Sequence, residues 1–137
     1  FCITDGEKQK TWRKFQLDLC LQIAIHQPQN IQKTLQKVIP GWCLYDETEF
    51  LLDLFSHVKQ YESKTHRSVI PALLPVYKSV PVWSINLSER KVSVLIDVLK
   101  LRTQKKPVKL EDWSEEESEV RSFLQCLPYI SELTFEP

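Results

Sequence analysis

Two stretches of this chain share one pattern: Pro81-Val-Trp-Ser-Ile-Asn-Leu87 followed by Ser88, and Pro107-Val-Lys-Leu-Glu-Asp-Trp113 followed by Ser114. Both are β-compatible, which is typical of a short strand, and each runs through its serine into a charged helical stretch. The two prolines are 26 residues apart, and so are the two serines (107 − 81 and 114 − 88). We therefore predict two consecutive strand-then-helix units that repeat along the chain.

Helical and strand patterns extend this repeat to the end of the sequence. Each unit carries apolar residues at positions i, i+3, i+4 and i+7, the spacing of one helix face. These residues are Val92, Leu95, Ile96 and Leu99 in the first unit, and Val120, Phe123, Leu124 and Leu127 in the second. Ser131–Phe135 is predicted to be a third strand. One strand and one helix cannot bury their apolar residues alone, so the strands Val82–Leu87 and Val108–Asp112 are expected to lie side by side and parallel.

The first half of the chain has helical patterns without a strand. One helix is predicted from Glu7 to His26, and another from Asp46, which with Glu49 resembles a capping box, to about Glu62. Ser68 is predicted to begin a further helix, kinked or short because of Pro75.

The fold class expected from these patterns is a helix-rich α/β fold. Residues 1–80 are predicted to form a mainly helical segment stacked on the strand-helix repeats of residues 81–137. The repeat length favours a leucine-rich-repeat-like solenoid with short parallel strands in the C-terminal half. The two halves are expected to form one continuous domain cut from a longer chain, since the sequence has no methionine at its start.

Charge and hydropathy disfavour two classes of partner. The 137 residues include 18 basic and 18 acidic ones, so the formal net charge is zero, and no overall field attracts nucleic acid or an anionic membrane. No apolar run approaches the roughly 20 residues that cross a bilayer. The expected partner is therefore protein, with no nucleic acid and no membrane.

The four cysteines, Cys2, Cys20, Cys43 and Cys126, lie far apart without a Cys-x-x-Cys spacing. Free cysteine is commonly buried, so we predict structural thiols rather than disulfides or metal ligands. Reduced thiols are typical of a reducing compartment, and the expected location is cytoplasmic.

The sequence predicts no catalytic, cofactor-binding or metal-binding site. His26, His57 and His66 are far apart and lack the spacing of a zinc site. The chain has only two glycines, Gly6 and Gly41, too few for a phosphate-binding loop. A cysteine-dependent hydrolase that uses Cys43 remains a less favoured alternative.

Two other features have a structural interpretation. Glu115, Glu116, Glu117 and Glu119 fall where a helix begins, and Ser114 with Glu117 matches a capping box. Trp83 and Trp113 belong to the two strand units, and both are predicted to lie in the core.

Three segments resemble a known family. They are Phe50–Lys59, Asn86–Lys91 with the helix after it, and Trp113–Ser131, of which Glu115–Ser131 is the most specific. They are similar to the leucine-rich-repeat (ribonuclease-inhibitor-like) regions of fish proteins related to NOD-like receptors. The resemblance covers about Thr48 to Phe135. The family's repeat has an asparagine shortly after the strand, whereas this chain has Ser88 and Trp113 there, which indicates an irregular solenoid.

The resemblance implies a segment of an intracellular innate-immune receptor or scaffold that binds protein and has no enzymatic activity of its own. Solenoids bind through extended surfaces. The polar positions that alternate with core positions on the strands are therefore the predicted protein-binding residues: Ser84, Asn86, Lys109, Glu111 and Thr134. The alternative is an independent helical adaptor domain that binds protein through a helix groove, with the two β segments in a small sheet.

Overall fold

The computed structural model describes residues 6–29, 31, 33–34, 47–78, 80–87, 91–101 and 104–135. The chain divides into two compact units, Phe1–Val76 and Tyr77–Pro137. This division lies close to the predicted boundary at residue 80. The expectation that both halves belong to one continuous domain stays a prediction.

The first unit is helical in its described parts, as expected. Helix α1 spans Gly6–His26 and helix α2 spans Glu47–Thr65. The two helices contact each other, and the Arg13 guanidinium lies 4.9 Å from the centroid of the Phe50 ring. Their buried apolar side chains form the core of this unit: Cys20, Leu21, Ala24, Phe50, Leu51, Leu54, Phe55 and Val58.

Helix α3 spans Ile70–Lys78, and Glu62 on α2 caps its first turn. The Glu62 carboxylate accepts hydrogen bonds from the backbone N–H groups of Val69 and Ile70, the latter at 2.8 Å. These donors have no partner within the helix, and a negative charge is favoured at a helix N-terminus. The predicted start at Ser68 is therefore wrong, because the cap comes from the preceding helix. The predicted start of α2 at Asp46 lies outside the described residues.

The second unit alternates strands and helices. Strand β1 is Trp83–Asn86, helix α4 is Val92–Leu99, strand β2 is Lys106–Asp112, helix α5 is Glu117–Leu124, and strand β3 is Ile130–Phe135 after a 3₁₀ turn at Leu127–Tyr129. The strands form an open three-stranded sheet of order β1-β2-β3, and both pairings are parallel. The expected parallel neighbours β1 and β2 are confirmed, and the chain has a helix-rich α/β fold.

The repeat in this unit is one position shorter than the spacing of the prolines and serines indicates. Trp83 pairs with Val108, and Val108 pairs with Leu133. Both steps between paired positions are therefore 25 residues (108 − 83 and 133 − 108). Helices α4 and α5 begin at Val92 and Glu117 and contact each other, and their starts are separated by the same step (117 − 92). Strand and helix therefore advance together from one unit to the next, and we call this common spacing the step of the repeat.

Trp83 is the largest fully buried side chain among the described residues. Its side chain is fully buried, as predicted, and its ring stacks on Tyr77 with 6.1 Å between centroids and 11° between planes. The β1 and β2 residues that share its face, Ile85, Val108 and Leu110, are buried as well. Parallel strands are joined by right-handed crossovers, and both crossovers here step in the same direction across the sheet. Both helices therefore lie on the same side of the sheet, and burial of Trp83, Ile85, Val108 and Leu110 indicates that this side is the apolar face.

Candidate protein-binding surface

The second face of the sheet is polar. Strand residues alternate between faces, so Ser84, Lys109 and Thr134 lie on the face opposite the apolar row of Trp83, Val108 and Leu133. The pairing joins Ser84 to Lys109 and Lys109 to Thr134, which makes one row across all three strands. Three of the five predicted binding residues are thus brought together by the register itself.

A shift in the strand register places an additional acidic residue, Asp112, beside the other two predicted residues, Asn86 and Glu111. The register shifts after Ile85, so that Asn86 pairs with Asp112 rather than with Glu111. Glu111 lies between the two paired residues Leu110 and Asp112 of strand β2. We call the set Ser84, Asn86, Lys109, Glu111, Asp112 and Thr134 the polar face.

The polar face is accessible to solvent. Glu111, Asp112 and Thr134 are exposed, and Ser84, Asn86 and Lys109 are half-buried. All-parallel sheets are normally covered on both faces, whereas Glu111, Asp112 and Thr134 on this polar face are exposed.

Charges of both signs lie on the polar face. Lys109 is cationic, whereas Glu111 and Asp112 are anionic. Such a mixture gives no single-sign field of the kind that binds nucleic acid, and it suits a partner with its own pattern of charges. This agrees with the zero net charge of the whole chain.

Trp113 lies at the carboxyl end of β2, and the prediction that it belongs to the core is wrong. Half of its surface is exposed, at 50%. Its backbone N–H donates a 2.8 Å hydrogen bond to Oδ1 of Asp112, which ties the tryptophan to the end of the polar face. An exposed tryptophan beside polar residues is typical of binding hot spots. Sequence reasoning missed it because the alternation of a strand says nothing about the residue just beyond its end.

The predicted capping box at Ser114 is also wrong. Helix α5 begins at Glu117, its N-cap is Glu116, and no side chain caps it. The Ser114 hydroxyl instead accepts a 3.1 Å hydrogen bond from the N–H of Glu116, which closes a local turn before the helix. Glu117 and Glu119 do lie in the first turn, where the helix dipole favours carboxylates, so two of the four glutamates have the expected structural role.

The cysteines that the structure describes are buried and free. Burial raises the pKa of the Cys20 and Cys126 thiols from 9.0 to about 12. A thiol with such a pKa is a poor nucleophile and a poor metal ligand, because both roles need the thiolate. Cys2 and Cys43, including the hydrolase alternative at Cys43, lie outside the described residues.

His57 has a partner that the sequence did not indicate. Its Nε2 lies 2.8 Å from Oδ1 of Asp18, so that α2 is joined to α1 by a polar contact between partly exposed side chains. The two residues are 39 positions apart, and no local pattern links them. Within the described parts of the chain, no group of three or more His, Cys, Asp or Glu side chains could hold a metal ion.

None of the helices in the described ranges has both the length and the apolar character that a bilayer crossing requires.

No protein-family model matches the chain, and neither a curated protein nor a solved structure matches it. The resemblance to leucine-rich repeats of receptor-related proteins therefore stays a prediction.

Proposed function

We propose that the chain is a non-enzymatic protein-binding module of the leucine-rich-repeat-like solenoid type, which binds its partner through the polar face. The observation that carries the proposal is the pairing of Ser84, Lys109 and Thr134 in one accessible row. The parallel order β1-β2-β3 and the constant step of the repeat support a solenoid rather than a helical adaptor, whose two β segments would form a small sheet without a repeat.

Trp113 and the polar face have complementary roles in the proposed interface. The tryptophan supplies a large apolar anchor at the end of β2, and such anchors account for most of the binding energy in many interfaces. Lys109, Glu111 and Asp112 supply charges that select a partner by complementarity. The resemblance in the sequence favours an innate-immune receptor or scaffold in the cytoplasm as the setting of this interaction.

Site-specific photo-crosslinking tests the proposal. A benzophenone side chain is placed at Thr134 on the polar face, and in a matched variant at Asp97, which is exposed on helix α4. Each protein is irradiated in a cell extract. We expect one discrete protein adduct from position 134 and none from position 97.

The adduct should also respond to changes beside the crosslinker. Trp113→Ala and Lys109→Glu should each reduce its yield about tenfold or more, as expected for hot-spot and charge-complementary residues. Adducts of equal yield from positions 134 and 97, or no adduct from position 134, would show that the polar face is not the binding surface.

A further inference from the structure

The charge of the polar face changes sign along strand β2. Lys109 shares a row with Ser84 and Thr134, whereas Glu111 follows two residues later, about 7 Å along the strand. Asp112 ends the strand, and both carboxylates are exposed. The middle of the strand therefore presents positive charge, and its carboxyl end presents negative charge.

Trp113 lies directly beyond these two carboxylates. Its backbone N–H is 2.8 Å from Oδ1 of Asp112, and half of its surface is exposed. Glu115 follows two residues later and is exposed as well. We call Glu111, Asp112, Trp113 and Glu115 the tryptophan corner. It combines an accessible aromatic ring with carboxylates on both sides of it along the chain.

The carboxylates of the tryptophan corner keep their charge unpaired. Within the described residues, Glu111, Asp112 and Glu115 form no ion pair, whereas Glu117, the next acidic residue but one, pairs with Arg121. Charge complementarity at an interface selects a partner of the opposite sign. The corner is therefore suited to a cation that the partner supplies.

We propose that the partner of the polar face presents an arginine at the tryptophan corner. Its guanidinium would stack on the Trp113 ring, and its N–H groups would donate hydrogen bonds to the carboxylates of Glu111 and Asp112. The guanidinium is planar, carries five N–H donors and stacks on aromatic rings, so one side chain can use both features. Lys109 repels the same cation and restricts it to the carboxyl end of β2. This inference rests on the proposed function and names the chemistry of the partner.

Other occupants fit the tryptophan corner less well. A divalent cation needs several ligands in one place, and the described residues contain no such group. A nucleic acid would be repelled by the carboxylates, and an apolar side chain would remove them from water without replacing their hydrogen bonds. A lysine would pair with a carboxylate, but its compact and strongly hydrated ammonium would use the ring less.

Two-dimensional NMR of the isotope-labelled chain tests the proposal with defined probes. The first probe is the peptide acetyl-Gly-Arg-Gly-Arg-Gly-amide. The second has lysine at both arginine positions, and the third has citrulline there, which keeps the shape of arginine without its charge. Each peptide is titrated while the Trp113 indole N–H and the backbone amides of residues 111–115 are followed.

We expect the arginine peptide to shift these signals with an affinity about threefold or more above that of the lysine peptide, and the citrulline peptide to leave them unchanged. Trp113→Ala, and separately Glu111→Gln with Asp112→Asn, should each weaken binding of the arginine peptide about threefold or more. Asp97→Asn is the matched control, because it removes an exposed carboxylate from helix α4, and it should leave the affinity unchanged. Unshifted amide signals outside the corner verify that each variant is folded.

Equal affinity for the arginine and lysine peptides would overturn the proposal, and so would binding that Trp113→Ala leaves unchanged. The titration uses no cell extract, so its result is independent of the crosslinking experiment. If the arginine peptide does not bind while position 134 gives its adduct, the arginine contact is wrong and the proposed function stands. If the peptide binds at the corner while position 134 gives no adduct, the arginine site stands and the proposed function is wrong.

Discussion

Strands β1 and β3 stand at opposite ends of one sheet and use the same alternation of apolar and polar residues. Trp83 and Leu133 occupy one row of the sheet, and Ile85 and Phe135 occupy the next. The β1 residues are buried, whereas the β3 residues are half-exposed. The alternation determines the face on which a side chain lies. Whether that face is buried depends on a neighbouring element that packs against it.

The reactivity of Cys126, which lies between α5 and β3, tests whether this end of the second unit is as tightly folded as the comparison requires. With its pKa raised by burial to about 12, the thiol at pH 8 is thiolate in about one molecule in ten thousand. With the ordinary value of 9.0 in the unfolded chain, the fraction is about one tenth. We expect iodoacetamide to modify Cys126 about a thousandfold more slowly in the native protein than in urea, as measured by peptide mass spectrometry.

Cys20, which is equally buried in the first unit, serves as the internal control. Rapid modification of Cys126 beside slow modification of Cys20 would mean that the segment from α5 to β3 opens easily. The exposure of β3 would then reflect loose packing and not a missing neighbour.

The same pKa predicts a loss of stability at alkaline pH. Because the thiol pKa is higher in the folded chain than in the unfolded chain, the folded state binds more protons, and the unfolding free energy falls as pH rises from about 9 to about 12. Cys126→Ala should make this decline shallower in urea unfolding measured across that range. An unchanged slope would show that the Cys126 thiol does not titrate as its burial requires.

Alanine substitutions along the first row measure the difference between the two ends directly. Trp83→Ala should lower the unfolding free energy by about 3–5 kcal/mol, because it leaves a cavity at the fully buried position of this row. Leu133→Ala should cost less than about 1 kcal/mol, since the side chain is already half in solvent. Urea unfolding gives both values, and a similar cost at the two positions would contradict the comparison.

Trp83→Phe is an informative intermediate variant. Within the described residues, the Trp83 indole N–H has no hydrogen-bond partner, so its removal breaks no polar contact. The loss should therefore come only from reduced packing and stay well below that of Trp83→Ala.

The strand positions and their parallel pairing could be predicted because period-2 alternation and a repeated strand-helix order are local signals. The exact step of the repeat could not be read from the prolines and serines, because pairing is set by register and not by the residues that flank a strand. Glu111 was predicted to lie with Lys109 on the polar side of β2, but the register shift that pairs Asp112 with Asn86 leaves no mark in a single sequence.

Exposure was the hardest property to predict. Leu124 and Leu127 fit the apolar spacing of a helix face as well as Leu95 and Leu99 do, yet they are exposed. Hydropathy spacing identifies the side of a helix that can be covered, and only the neighbouring element decides whether it is. Trp113 and the contact between Asp18 and His57 were missed for the same reason, since each depends on what lies nearby in space.

Leu99 and Leu124 repeat the comparison in the helix layer. They end helices α4 and α5 at equivalent positions, one buried and one half-exposed. Leu99→Ala should cost about 2–5 kcal/mol and Leu124→Ala less than about 1 kcal/mol of unfolding free energy. Urea unfolding of the two variants gives both values, and an equal cost at the two positions would contradict the comparison.

Lys109→Glu should have the smallest effect, about 0.5 kcal/mol or less on the unfolding free energy, because it changes the polar face and not the apolar one. Its partly exposed position allows water and salt to screen the new charge beside Glu111. Urea unfolding of this variant tests whether the two faces have separate roles, one for folding and one for binding. A loss greater than about 1 kcal/mol would mean that Lys109 stabilises the sheet, and reduced crosslinking in the same variant could then follow from damage to the fold.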